Sequence, residues 1–225
     1  MIPLRAEQRV ASTPLVTWIL LTAIAAVFLW QVSLDQAGFN RAIFAFGLIP
    51  AVLLGHFPMP PDIAVVPPVA TVFTSMFLHG GWLHLAGNML YLWVFGPSIE
   101  DRMGRPRFMG FYLACGVVAA LAQALPAPGT LAPMIGASGA ISGVLGAYLL
   151  LFPRTQVRVL VPLGFMLTVV RLPALWVLGL WFAIQLLSSL WAPDGEGGVA
   201  FRAHLGGFVA GLAAAPLFLA RRRRT

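Results

Sequence analysis

Two polar side chains stand out in a chain that is 60% hydrophobic, because each lies at the start of an apolar segment rich in small residues. Ser138 lies in the stretch MIGASGAISGVLGAY, and His204 lies in AHLGGFVAG. A serine hydroxyl becomes a useful nucleophile when an imidazole accepts its proton, and backbone N–H groups at a helix N-terminus can stabilise an oxyanion. The pair therefore has the chemistry for nucleophilic catalysis, provided that both side chains lie at the same depth.

Both stretches also carry the pattern of close helix packing, which gives a purely structural interpretation. Small residues recur every four positions: Gly139, Gly143 and Ala147 in the first stretch, Gly207 and Gly211 in the second. Such faces let helix backbones approach closely inside a membrane. Ser138 would then be a packing residue, and His204 an interfacial histidine that reaches water. Docking of the two faces would bring the two side chains together, however, which favours the catalytic interpretation.

A third polar cluster lies in HGGWLHLAGN, where His84 and Asn88 are four residues apart and so share one helix face. The two side chains can pin neighbouring helices by hydrogen bonds, or donate N–H groups to a developing oxyanion. His79, earlier in the same stretch, is expected to be structural. The segment contains no carboxylate or cysteine, so we expect neither a metal site nor a cofactor.

No acidic residue is expected beside His204. The chain has seven acidic residues, and all fall outside its apolar segments: Glu7, Asp35, Asp62, Glu100, Asp101, Asp194 and Glu196. The sequence therefore predicts a Ser–His dyad rather than a triad.

The composition predicts that these side chains are held by a polytopic membrane protein of the all-α class. Only 9% of the 225 residues are charged, too few to cover a soluble domain, and the apolar segments approach the length of a bilayer span. Residues 1–225 are predicted to form one membrane domain with six spans, at 14–32, 77–97, 108–125, 137–152, 173–190 and 204–220. The Pro-rich residues 33–71 should form a broken, interfacial loop. Residues 159–172 are expected to be an interfacial or re-entrant piece.

The charged residues predict the orientation of these spans. All fourteen basic residues are arginines, and six spans place twelve of them on one side, leaving Arg41 and Arg202 on the other. Such a bias indicates that both termini, residues 1–13 and the basic 221–225, are cytoplasmic. Because the arginines lie in short loops between apolar spans, nucleic-acid binding is not expected. The single Cys115 excludes an intrachain disulfide.

Taken together, the ordered motifs resemble the rhomboid family of intramembrane serine proteases. HGGWLHLAGN, GASG and AHLGGFVAG fall on the second, fourth and sixth predicted spans, and EDRMGRPRF follows the second as Glu-x3-Gly-x3-Phe. The resemblance implies a six-helix fold with a pocket open to the outer side. It also implies cleavage of transmembrane protein substrates near their extracytoplasmic ends. The absence of an appended soluble domain predicts a bacterial enzyme of the plasma membrane, with an organellar relative as the alternative. The fifth span and the loop after it are implied to move when substrate enters.

The resemblance also assigns roles to individual residues. It implies that Ser138 is the nucleophile and His204 the general base and acid. The oxyanion hole would be formed by His84, Asn88, the backbone N–H of Ser138 and, from the GASG motif, Gly136.

The chain departs from the family pattern at two places. Residues 33–71 lack the Trp-Arg pair of some members, so this loop is expected to be anchored differently. Ser142 stands where many members have an aromatic ring under the histidine. Ser142 is expected to face His204, where it would support the imidazole or compete with Ser138 as a nucleophile; we favour Ser138. Two other functions are considered: a catalytically silent rhomboid-like protein that escorts transmembrane segments, and a small transporter, for which no internal repeat is seen.

Overall fold

The computed structural model describes residues 1–163, 166–191 and 200–219 of the chain. In chain order its elements are β1 (Ile2–Ala6), α1 (Leu15–Ser33), α2 (Gln36–Phe46), α3 (Pro50–Leu53), α4 (Thr71–Thr74), α5 (Trp82–Met103), α6 (Arg105–Ala124), α7 (Ser138–Leu151), β2 (Gln156–Leu163), β3 (Met166–Pro173), α8 (Ala174–Trp191) and α9 (Phe201–Phe218). Single 3-10 turns flank α4, at Pro68–Ala70 and Ser75–Phe77. The predicted cytoplasmic segment 221–225 lies outside the described residues, as does most of the loop after α8.

The protein is mostly helical and is a multi-pass membrane protein. Four of its described helices, α1, α6, α8 and α9, are long and apolar enough to cross a bilayer. Helix α5 has 22 residues and ends in charged side chains, whereas α7 has only 14 residues. The count of six spans and the orientation of the termini therefore stay predictions.

Helix α7 is the centre of the bundle, and α9 packs directly against it. Residues 139–148 of α7 are all buried. A Cβ atom added to Gly207 would clash with the carbonyl oxygen of Gly139, and one added to Gly211 would clash with that of Gly143. The predicted docking of the two small-residue faces is therefore confirmed, and only glycine fits at these crossing points.

The motif EDRMGRPRF joins three helices at one end of the bundle. The buried Glu100 carboxylate, near the end of α5, accepts hydrogen bonds from the backbone N–H groups of Val16 and Thr17, at 2.9 and 2.8 Å, and from the Thr17 hydroxyl at 2.8 Å. These N–H groups begin α1 and have no partner within their own helix, so the carboxylate caps it. Gly104 then turns the chain from α5 into α6 with a φ of 78°.

A three-stranded antiparallel sheet, in the order β1-β2-β3, corrects the prediction of an all-α protein. Residues 159–172, predicted as an interfacial or re-entrant piece, form most of a β-hairpin, and residues 1–13 contribute its third strand. Valines at alternating positions explain the strand, because Val157 and Val159 turn inwards and are fully buried against the core. A sheet that short and apolar cannot be told from a membrane segment by hydropathy alone.

Glu7, which directly follows β1, connects β2 and β3 through ion pairs. Its carboxylate lies 2.7 Å from Nε of Arg158 on β2 and 3.4 Å from Nε of Arg171 on β3. The hydrogen bond from Arg158 lowers the pKa of the Glu7 carboxyl below its ordinary value, and the nearby charge of Arg171 lowers it further.

Candidate active site

The structure brings Ser138 and His204 into direct contact. Nε2 of His204 lies 2.7 Å from Oγ of Ser138, within hydrogen-bond distance. Ser138 is the first residue of α7, and His204 lies in the first turn of α9. Since the two helices run in the same direction with their glycine faces docked, their first turns lie side by side. His204 is only 8% exposed, so the pair is shielded from bulk solvent.

Gln185 on α8 is a contact of His204 that sequence reasoning missed. Its side-chain Oε1 lies 2.6 Å from Nδ1 of His204. An amide oxygen can only accept, so Nδ1 carries the proton and donates it to this hydrogen bond. Nε2 is then unprotonated and accepts the hydroxyl proton of Ser138. A polar side chain inside the apolar run WVLGLWFAIQLL was the signal that could have drawn attention to Gln185.

Trp181, one turn before Gln185 on α8, lies beside the imidazole ring. The centroids of the Trp181 and His204 rings are 5.9 Å apart, with 37° between the ring planes. The indole also lies 5.9 Å from the ring of Phe208, the residue one turn further along α9. An aromatic neighbour for His204 is therefore supplied by α8.

Ser142 makes no hydrogen bond to His204. Its hydroxyl donates a 2.6 Å hydrogen bond to the backbone carbonyl oxygen of Ser138, one turn earlier in α7. This is the common bond of a helical serine to the fourth residue before it. The expected support of the imidazole by Ser142 is not seen, and its hydroxyl proton is engaged with the backbone.

A hydrogen bond to His79 holds the Asn88 side chain in the site. The Nδ1 group of His79 donates to the carbonyl oxygen of Phe77 over 3.2 Å, which leaves Nε2 as an acceptor. Nε2 accepts a 2.8 Å hydrogen bond from Nδ2 of Asn88. His79 is fully buried, and its backbone N–H donates to the side chain of Gln31 on α1 at 2.9 Å. Among the described residues this is the one hydrogen bond of the Asn88 amide group, so its second N–H can serve as a donor.

His84 presents a donor towards the loop that precedes Ser138. The backbone N–H of Gly80 donates to Nδ1 of His84 over 3.4 Å, so the ring proton belongs on Nε2. Nε2 lies against Gly136, where an added Cβ atom would be 2.7 Å from it and 3.7 Å from Nδ2 of Asn88. Both oxyanion candidates on α5 therefore converge on Gly136.

Gly136 contributes space rather than a hydrogen bond. Its φ is +117°, a conformation that side chains rarely adopt, and its backbone N–H already donates to the carbonyl oxygen of Ser75 at 2.8 Å. The N–H of Ser138 begins α7 and has no intrahelical partner. It is thus better placed than that of Gly136 to act as a backbone donor.

Two contacts fix the elements that carry the pair. The loop before Ser138 is tied to the stretch FGLIP by a bridge between Leu48 and Met134, with N–H to O distances of 3.0 and 2.7 Å. At the start of α9, the backbone N–H of Ala203 donates to Oε1 of Gln123 on α6 at 3.2 Å. Within the first loop, which lacks a Trp-Arg pair, Arg41 donates to the carbonyl oxygen of Asp62 and so joins two parts of the loop.

A cleft of about 1270 Å³ is lined by four of these polar side chains together. Its lining includes Ser138, His204, His84 and Asn88, with apolar walls that include Trp181. Within residues 1–163, 166–191 and 200–219, no group of three His, Cys, Asp or Glu side chains could hold a metal ion.

A family model for the rhomboid domain matches residues 68–221, the region that contains all four of these side chains. The chain belongs to the rhomboid family. The part of this rhomboid outside the match includes β1, α1 and α2.

Curated relatives of this rhomboid come from bacteria and from mitochondria. The rhomboid protease GluP of Bacillus subtilis is 34% identical over 144 residues, which cover 64% of this chain and 25% of that protein. Mitochondrial rhomboid protein 1 of Saccharomyces cerevisiae is 32% identical over 150 residues, covering 63% of this chain and 40% of that protein. The mitochondrial presenilin-associated rhomboid-like protein of Homo sapiens is 30% identical over 126 residues, covering 54% and 33%. The match thus spans well under half the length of each of these relatives.

Proposed function

We propose that this rhomboid is an intramembrane serine endopeptidase that cleaves transmembrane proteins near their extracytoplasmic ends. The observation that carries the proposal is the 2.7 Å contact between Oγ of Ser138 and Nε2 of His204 in a cleft of an apolar bundle. GluP, whose name identifies a protease, is a bacterial relative, which adds support.

The reaction would proceed through an acyl-enzyme. His204 takes the hydroxyl proton as Ser138 attacks the peptide carbonyl carbon, and the resulting oxyanion accepts hydrogen bonds from Asn88, His84 and the backbone N–H of Ser138. His204 then gives the proton to the leaving amine, so the C–N bond breaks. Water, deprotonated by His204, attacks the acyl ester and releases Ser138. No cofactor or metal ion enters this sequence.

The substrate is a transmembrane helix that opens locally in the cleft. A carbonyl group inside an intact helix is hydrogen-bonded and enclosed by side chains, so several residues must unwind before Ser138 can reach it. Small or helix-breaking residues around the scissile bond lower this cost and are expected in good substrates.

The proposed topology has six spans, with both termini in the cytoplasm of a bacterial cell. It is supported by the arginine bias of twelve to two and by two long-range contacts. Ser12, before α1, donates to Asp101 at the end of α5, so the chain crosses an even number of times between them. Strand β1 pairs with β2, which requires an even number of crossings from α1 through α7.

A fluorophosphonate probe tests which serine reacts. We expect the probe to label the wild-type protein and the Ser142→Ala variant, and we expect no labelling of Ser138→Ala. The reason is that the Ser138 hydroxyl alone contacts an imidazole, whereas that of Ser142 is bonded to a carbonyl oxygen. If Ser138→Ala is labelled and Ser142→Ala is not, the nucleophile is Ser142 and the assignment of Ser138 is wrong. No labelling and no cleavage of any transmembrane reporter by the wild type would favour the escort function instead.

Replacement of the base tests the dyad as a unit. For His204→Ala we expect a loss of about 10⁴-fold or more in cleavage of a transmembrane reporter, because serine and histidine fail together in such sites. The matched control is His56→Ala, which removes an exposed imidazole from the first loop and should leave the rate unchanged. An His204→Ala rate within tenfold of wild type would exclude His204 as the base.

A further inference from the structure

The neutral side chain of Gln185 occupies the place that a carboxylate holds in a catalytic triad. Its oxygen accepts from Nδ1 of His204 at 2.6 Å, on the far side of the ring from Ser138. No carboxylate among the described residues is hydrogen-bonded to His204. We propose that Gln185 is a positioning residue, which holds His204 in the tautomer whose Nε2 can accept the Ser138 proton. This inference rests on the proposed protease function.

The choice of an amide suits a site inside a membrane. A buried carboxylate would have to be stripped of its water, at a cost that only a good ion pair offsets. An amide oxygen supplies the same acceptor geometry without a charge. Unlike a carboxylate, it adds no negative charge to stabilise the imidazolium, so its effect should come from orientation and tautomer selection.

The hydrogen bond also makes the tautomer depend on how α8 docks. The buried residues of α8 are Ala174, Val177 and Leu178, all within its first five positions. Beyond them, Trp181, Phe182 and Gln185 contact His204 and Phe208 on α9. A displacement of this part of α8 would remove the acceptor from Nδ1 and leave the imidazole free to exchange its proton between the two nitrogens.

Nuclear magnetic resonance of ¹⁵N-histidine-labelled protein in detergent tests the hydrogen bond without depending on activity. We expect the wild type to show His204, assigned by comparison with His204→Ala, as a single tautomer with a downfield proton on Nδ1. Gln185→Leu should lose this downfield signal and show tautomer exchange. Ile184→Leu, at the adjacent half-exposed position, is the matched control and should keep it. A wild-type His204 protonated on Nε2, or an unchanged spectrum of Gln185→Leu, would overturn the proposal.

Kinetics on a transmembrane reporter then measure what the bond contributes. We expect Gln185→Leu to lower kcat by about 10- to 100-fold, with KM changed by less than about twofold, because a lost buried hydrogen bond affects the reacting state. Gln185→Glu keeps the acceptor oxygen and should stay within about tenfold of wild type. If Gln185→Leu does not fold, judged by thermal unfolding, Gln185→Met takes its place. An unreactive wild type would contradict the protease function, whereas a wild-type kcat in a folded Gln185→Leu would contradict the role of Gln185.

Discussion

At the scale of single residues, the candidate site depends on the lack of a side chain at Gly136 as much as on the polar side chains around it. Gly136 has a positive φ, and a Cβ atom added to it would lie 2.7 Å from Nε2 of His84 and 3.7 Å from Nδ2 of Asn88, the two donors proposed for the oxyanion. Its own N–H is bonded to Ser75 and is not a free donor. The GASG motif therefore preserves a gap between the donors on α5 and the start of α7.

Gly136→Ala is expected to damage the proposed oxyanion hole while leaving the dyad in place. The new methyl group would lie 2.7 Å from Nε2 of His84 and would displace the ring. We expect kcat to fall by about 10²- to 10³-fold, the usual effect of losing one oxyanion donor. Gly129→Ala, which has open space around its Cβ, is the control. Full activity of Gly136→Ala would argue against oxyanion binding at this point.

The sequence reveals the candidate catalytic residues better than it reveals their hydrogen-bond partners. Ser138, His204, His84 and Asn88 can be selected because polar side chains are rare in apolar segments. The hydrogen bonds from His204 to Gln185 and from Asn88 to His79 depend on which ring nitrogen faces which helix, and no spacing rule encodes that. The prediction for Ser142 relied on its position on the helix face, but a local bond to the backbone engages its hydroxyl instead.

At the scale of helices and strands, the contact between α7 and α9 sets the geometry of the pair. Ser138 and His204 sit at matching ends of these helices, so any change in helix separation alters the Oγ to Nε2 distance. Spacing of small residues was sufficient to predict this contact. The hairpin was missed because its alternating valines are as hydrophobic as a membrane segment, and its core-facing side is dry.

Gly207→Ala is expected to destabilise the protein and to separate the dyad. Its Cβ would clash with a carbonyl oxygen of α7, and such overpacking costs about 1–3 kcal/mol. The thermal midpoint in detergent should fall, and reactivity towards a fluorophosphonate should fall with it. Gly179→Ala in α8 meets no atom within 4 Å and should leave the midpoint unchanged or raise it. Equal thermal midpoints for Gly207→Ala and Gly179→Ala would show that α7 and α9 tolerate a wider separation where they cross.

At the scale of the whole molecule, the proposed chemistry and the sheet lie at opposite ends of α7. Ser138 begins this helix, and β2 follows shortly after its last residue. Arginines cluster in and beside the sheet and at the junction of α5 and α6, among them Arg5, Arg102, Arg105, Arg107, Arg154, Arg158 and Arg171. The proposed catalytic end of the molecule therefore lies away from its basic end along the proposed membrane normal.

Cysteine accessibility in intact bacterial cells tests this orientation. With the buried Cys115 as a silent background, we expect an impermeant maleimide to label Asp62→Cys and Gly129→Cys. Arg9→Cys and Arg154→Cys should react only after the cells are opened, because twelve arginines favour the cytoplasmic side. All four positions are exposed in the fold. Labelling of Arg154→Cys in intact cells would reverse the assignment.

The pairing of β1 with β2 also imposes a schedule on biogenesis. The ribosome releases β1 before α1, yet its partner strand β2 is translated only after α7. At synthesis rates of about 5–20 residues per second, the nascent strand waits on the order of ten seconds with its edge unsatisfied. During that interval the edge of β1 is open to chaperones or other nascent chains. The sheet can form only after α7 has been made.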